Sequence, residues 1–173
     1  GISANIQDKD YIFCYFLGDN KMAREMAIAM KKKTGKKIFS IPCMDEINLE
    51  DLKFGDKQLY DVGPSEFLSY IKNAAYVITD SFHGTVFSVL FNKQFVVYNR
   101  YNNKNKNSTN SRIDTLLLKI ELENRRVLNN CSTEESVNIL LGAIDYSKVN
   151  FKVSELKSES IEYLKCVLKE CDK

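Results

Sequence analysis

Tryptophan is absent from this 173-residue chain, histidine occurs once, and proline occurs twice. The missing tryptophan excludes nothing. The scarcity of histidine is more informative: five cysteines sit at 14, 43, 131, 166 and 171, with no CxxC pair and no Cys/His cluster. No ligand set for a structural zinc can be drawn from them, and the expectation is that no metal or cofactor is held. An odd, scattered set of cysteines points to reduced thiols and a cytoplasmic protein. The formal net charge is +2, which gives no global reason to bind nucleic acid or an anionic membrane. No apolar run reaches the roughly 18 residues needed to span a bilayer, and no signal-peptide pattern is present. Neither GxGxxG nor GxxxxGK[ST] occurs, so the nucleotide fingerprints are missing.

What is present is an alternation of short apolar runs and longer amphipathic stretches. "YIFCYFL" (11–17) is aromatic and β-branched and reads as a buried strand. Gly18, Asp19 and Asn20 then supply a turn and a helix cap. Met22, Ala23, Met26, Ala27 and Met30 recur at helical spacing, and Lys31 to Lys33 followed by Gly35 end that helix. "KIFSIP" (37–42) reads as a second strand, 43–57 as a loop, and "QLYDV" (58–62) as a short third strand. Pro64 suits a first helical turn, and Phe67, Leu68 and Ile71 line one face of the helix it opens. "YVITD" (76–80) predicts a strand, "SFHGT" a turn, "TVFSVLFN" (85–92) a helix and "QFVVYN" (94–99) another strand. The sum is an α/β, Rossmann-like parallel sheet with helices on both faces, one domain over 1–173.

Residues 99–112, "NRYNNKNKNSTNSR", interrupt the alternation with asparagine and four cations and no acid. They read as a solvated loop or as a basic flap over an anion. Beyond them "IDTLLLKI" is helical, "RRVL" extended, and Ser132 to Glu135 a capping box. A last helix over 154–171 carries Leu156, Ile161, Leu164, Val167 and Leu168 on one side, which predicts packing across the domain.

In an open parallel sheet, ligands bind beyond the carboxyl ends of the strands, where Asp80 to Thr85 falls. A helix N-terminus there offers unpaired N–H groups and partial positive charge to an anion. Gly84 would let backbone approach a ligand, Ser81 and Thr85 add hydroxyls, and His83 adds a charged donor or a proton donor and acceptor. Structural roles account for the same residues: Ser81 or Thr85 as a cap, Asp80 as an acceptor of backbone N–H, Phe82 as pocket wall or core, His83 as a buried histidine. Gly18 and Asn20 follow a strand as well and share the crevice in the ligand reading, though a helix cap explains them.

"GPSEFLSYIKNAAYVITDSFHGTVFSVLFNKQFVVYNR" and, after it, "SRIDTLLLKIELENRRV" together resemble the C-terminal half of the polysaccharide pyruvyl transferase family, over about 65 residues from Gly63 to Val127. The resemblance implies half of a two-domain fold of the GT-B glycosyltransferase type, with a further N-terminal domain. It implies transfer of a pyruvyl group from phosphoenolpyruvate, an anionic small-molecule donor, to two hydroxyls of a glycan acceptor, forming a ketal. On that basis His83 protonates the donor or binds its phosphate, Asp80 to Thr85 cradle the anion, and Arg100 or Arg112 closes over it. The enzyme would act in the cytoplasm or peripherally at the inner membrane surface, and the isolated domain would be inactive. Some members of that family carry arginine, an aliphatic residue and then the histidine, where this chain has Ser81, Phe82 and His83. The alternatives are a GT-B-like domain for a nucleotide sugar and a non-catalytic Rossmann-like module.

Overall fold

The fold was analysed in a computed structural model, which describes residues 8–42, 53–100 and 110–171. Five strands form one sheet: β1 (Ile12–Tyr15), β2 (Ile38–Ile41), β3 (Lys57–Gln58), β4 (Tyr76–Thr79) and β5 (Gln94–Val97). Their order is β3-β2-β1-β4-β5 and every pairing is parallel. The chain therefore winds outward from β1 in one direction, then returns and winds outward in the other. The reversal falls between β1 and β4, where a crevice opens at the carboxyl edge of such a sheet.

The helices are α1 (Lys21–Thr34), α2 (Pro64–Asn73), α3 (Phe82–Leu90), α4 (Asn110–Lys119), α5 (Thr133–Leu141) and α6 (Tyr146–Cys171). They cover both faces, because the short strands are apolar on both sides. On one face Ile12, Cys14, Ile38, Ile78 and Val96 meet α1 and α5 through Met26, Met30, Val137 and Leu140. On the other, Phe13, Phe39, Val77, Phe95 and Val97 meet α2, α3, α4 and α6 through Ile71, Val89, Leu117 and Val149. Each fully buried Ile, Val or Phe contributes about 1.5–3 kcal/mol before chain entropy is charged. Two closed apolar layers give this unit a complete core of its own.

Local chemistry fixes the helix ends. Asn20 caps α1 by accepting from the Ala23 N–H at 3.1 Å, and Gly35 ends it with φ +71°, its N–H donating to the Lys31 carbonyl. Ser132 and Glu135 form the expected reciprocal capping box on α5. Pro64 opens α2 as expected.

Four expectations need correction. The third strand is only Lys57–Gln58, not 58–62, and pairs with Phe39 and Ser40 of β2. "SFHGT" is not a turn before a helix at 85, because α3 begins at Phe82 with Ser81 as its N-cap. The Ser81 hydroxyl accepts from the Gly84 N–H at 3.3 Å, which starts the helix three residues early. "RRVL" is extended only in part: Glu123–Arg125 is a 3₁₀ turn, and Arg126 makes one parallel bridge to Val97. The last helix starts at Tyr146, and only its first turns pack on the domain, through Val149, Val153 and Leu156. Ile161, Leu164, Val167 and Leu168 are 40%, 57%, 37% and 64% exposed, so their apolar row has no partner among the described residues. The 43–52 part of the predicted acidic loop and the 101–109 part of the basic loop lie outside the described residues.

Candidate functional site

The β1–α1 and β4–α3 loops meet at the carboxyl edge of the sheet, one on each side of the winding reversal. Asp80 joins them. One carboxylate oxygen accepts from the Leu17 N–H at 2.7 Å and the other from the Gly18 N–H at 3.1 Å. Asp80 is 2% exposed, and burial raises its carboxyl above the ordinary range; the Leu17 and Gly18 bonds and the charge of Arg100 offset part of that rise. Its oxygens are spent on holding the crevice wall, which is the backbone-acceptor role among the two expected.

Ser81 and Thr85 are likewise turned inward. Ser81 is 2% exposed and caps α3, while the Thr85 hydroxyl, fully buried, donates to the Ser81 carbonyl at 2.9 Å. Gly84 faces the sheet. A Cβ there would stand 2.6 Å from Thr79 Oγ1, so the missing side chain lets α3 lie close on β4. Thr79 Oγ1 in turn donates to the Tyr15 carbonyl at 2.6 Å and accepts from the Ser81 N–H at 3.1 Å. These contacts lock the first turn of α3 to both central strands.

That lock leaves Phe82 and His83 as the outward side chains of the turn. His83 is exposed, which removes the buried-histidine reading, and its ring meets Phe82 edge-on at 5.9 Å. Phe82 is half-buried, and the Arg112 guanidinium on α4 lies over its ring at 5.1 Å. Arg100 lies against the other loop: a Cβ on Gly18 would be 3.1 Å from the Arg100 carbonyl and 3.2 Å from its Cγ. Asn20 ties in the same strand end, donating to the Asn99 carbonyl at 3.2 Å. The fold thus brings Gly18, Asn20, Asp80 to Thr85, Arg100 and Arg112 to one edge. Within that set His83, Arg100 and Arg112 are the groups that can carry positive charge, Asp80 is a carboxyl committed to the backbone, and the others shape the edge.

A hollow of about 350 Å³ opens beside His83. Tyr15 and Ile41 at the ends of β1 and β2 form its floor, Val62, Gly63, Pro64 and Phe67 one wall, and His83 with Phe87 the other. Of these, the sequence pattern points only to His83; it assigns none of Tyr15, Ile41, Val62, Gly63, Pro64, Phe67 and Phe87 to a site. Phe67 and Phe87 look like core positions on helical faces, and only the crossover of α2 beside α3 aligns them. A second hollow, about 500 Å³, lies at the amino end of β2 between Ile28, Lys31, Gly35 and Ile38, away from the carboxyl edge. Among the described residues no cluster of His, Cys, Asp and Glu has the makings of a metal site. No described helix is long and apolar enough to cross a membrane.

Solved structures of similar shape place the fold. Two structures of UDP-GlcNAc 2-epimerase from Methanocaldococcus jannaschii resemble this chain. One, in complex with UDP-GlcNAc and UDP, superposes with a TM-score of 0.52 at 18% identity over 87% of this chain. The other gives 0.54 at 20% identity over 81%. The chain spans 46% and 40% of those proteins, so it corresponds to less than half of each. The likeness establishes a Rossmann-like α/β sheet of the kind found in one half of a GT-B fold. Among curated protein sequences there is no significant match. The family model for polysaccharide pyruvyl transferase matches residues 2–103, which takes in β1 to β5 and stops before the "SRIDTLLL" helix. That span is more than half of the 173 residues and contains the Asp80 to Thr85 turn, the hollow and Arg100: this chain belongs to the polysaccharide pyruvyl transferase family.

Proposed function

We propose that the chain is the donor-side half of an enzyme that moves the pyruvyl group of phosphoenolpyruvate onto two hydroxyls of a glycan. The observation that carries this is the family match over residues 2–103, a span that includes the turn at the carboxyl edge on which His83 is exposed. Phosphoenolpyruvate presents a phosphate and a carboxylate, and the first turn of α3 with Arg100 and Arg112 offers N–H groups and cations at one edge. The reaction adds a proton to the enol methylene carbon, making it a methyl group. One sugar oxygen bonds to the central carbon and gives up its proton. The phosphate then leaves with its bridging oxygen, and the second sugar oxygen bonds to the same carbon and gives up its proton; of the two hydroxyl protons released, one replaces that placed on the methyl carbon and the other ends on the phosphate. A histidine beside the methylene can supply the first proton, and the same group charged can hold the departing phosphate.

This chain lacks the arginine found two positions before the histidine in some members. Ser81 stands there, buried and committed to its cap, so it does not replace a cation. Arg100 and Arg112 are the candidates to do so. A second Rossmann-like half would supply the facing wall of the cleft. The short coverage of both structural neighbours and the unpartnered apolar row on α6 support such a half. By itself this unit would bind donor weakly and turn nothing over.

The experiment is a His83→Ala variant in the intact enzyme, assayed for phosphate release from phosphoenolpyruvate with glycan present. Rates should fall by about 10²–10⁴, the usual worth of a positioned acid–base group. Unchanged turnover would remove His83 from the chemistry. Binding of UDP at this edge in preference to phosphoenolpyruvate would favour a nucleotide-sugar donor instead.

A further inference from the structure

The hollow beside His83 is unsuited to the donor. Its walls are Tyr15, Ile41, Val62, Phe67 and Phe87, and among the described residues that line it His83 is the one ionisable group besides the tyrosine. A small anion with charge at both ends would lose its hydration against such walls without compensation. The hollow also lies within the size range of small-molecule subsites, which starts at about 300 Å³.

Its aromatic wall is fixed in advance. The Phe67 ring is held edge-to-face by Tyr15 at 5.0 Å and 69°, by Phe87 at 6.2 Å and 77°, and by Phe13 at 6.1 Å and 67°. Three near-perpendicular ring contacts leave Phe67 little freedom to lose when a ligand packs against it. A pyranose has the matching anatomy. Its axial C–H bonds form an apolar face with partial positive charge, suited to the negative face of an aromatic ring, and its hydroxyls project sideways. Laid in this hollow, such a ring would turn its hydroxyl edge toward His83 and the first turn of α3, where the donor is placed.

We infer that this hollow is the subsite for a sugar ring of the acceptor, with Phe67 as its platform and Val62 and Phe87 setting which rings fit. The inference rests on the pyruvyl-transfer reading, because that reading supplies both the sugar and the neighbouring donor.

The test titrates this folded chain, labelled for NMR on its aromatic rings and imidazole, with methyl β-D-glucopyranoside, methyl β-D-galactopyranoside and methyl N-acetyl-β-D-glucosaminide. Phosphoenolpyruvate and UMP are titrated separately. At least one pyranoside should shift the Phe67 and Phe87 ring signals in a saturable way. Phe67→Ala should weaken that binding by about tenfold, the worth of one good aromatic contact. Since Phe67 also packs on Phe13, a second variant, Val62→Trp, fills the hollow from the loop and should abolish the pyranoside shifts with ring dispersion retained. In both variants phosphoenolpyruvate should still shift the His83 imidazole. No pyranoside shift at Phe67, or UMP shifting those rings at lower concentration than every pyranoside, overturns the subsite. Failure of phosphoenolpyruvate to move His83 in the unmodified chain counts against the donor reading alone.

Discussion

Gly84→Ala is the sharpest test of how this site is held. Exposed in the middle of a helix, the change would be stabilising by about 0.8–1.0 kcal/mol, since glycine is the poorer helix former. Here the new methyl would stand 2.6 Å from Thr79 Oγ1 and 3.2 Å from Thr79 Cβ and Cγ2. Thr79 is fully buried, and its hydroxyl is already committed to the Tyr15 carbonyl and the Ser81 N–H. Either α3 lifts off β4 or Thr79 turns and gives up a bond. Overpacking costs about 1–3 kcal/mol, and a lost hydrogen bond about another 1 kcal/mol. After the propensity gain, the net loss should be about 2 kcal/mol, or roughly 4–8 °C in Tm for a chain of this length. Urea unfolding followed by circular dichroism suits a chain with no tryptophan. A Thr79→Ala background removes Oγ1 and Cγ2, including the 2.6 Å clash, and leaves only Cβ at 3.2 Å, so the cost of Gly84→Ala should shrink there by about 1 kcal/mol. If Gly84→Ala proves neutral or stabilising, the close seating of α3 is not what fixes the His83 turn.

Further outcomes follow from the same geometry. Asp80→Ala should cost about 2–4 kcal/mol by stranding the Leu17 and Gly18 N–H groups, seen as faster hydrogen exchange at those two amides. Because burial raises the Asp80 carboxyl, the folded state holds its proton more tightly than the unfolded chain; stability should fall as pH rises from about 3.8 through the raised native value, and Asp80→Asn should flatten that slope in acid titrations. Glu135 is shifted the other way by its bonds to Ser132, so its contribution is present above 4.5 and lost as pH falls through the lowered native value; Glu135→Gln should remove that acid-limb loss. Leu164→Glu and Leu168→Glu should leave the stability of this chain within about 0.5 kcal/mol, since neither side chain packs on the domain. A large loss in urea titrations would mean that α6 folds back.

The parallel sheet was legible because strand and helix periods are written locally. Apolar runs at 11–17, 37–42, 76–80 and 94–99 alternate with helical spacing, and Asn20, Gly35, Pro64 and Ser132 punctuate it. The turn around His83 was legible for the same reason, as a short polar string between a strand and an apolar helix. The length of α3 was misread because Gly84 speaks against a helix on propensity, and only its contact with Thr79 explains why it is there. Local pattern determined which segments are strands and helices and that a histidine sits at a strand's carboxyl end, but not the start of the last helix, which lies eight residues earlier than its apolar row suggests. The direction of each side chain in that turn, the spending of Asp80, Ser81 and Thr85 on structure, the aromatic hollow from Tyr15, Phe67 and Phe87, and the bare face of α6 were decided by tertiary packing. The physical reason is that neighbours far apart in sequence compete for the same hydrogen-bonding and apolar groups, and periodicity along one segment records nothing of that competition.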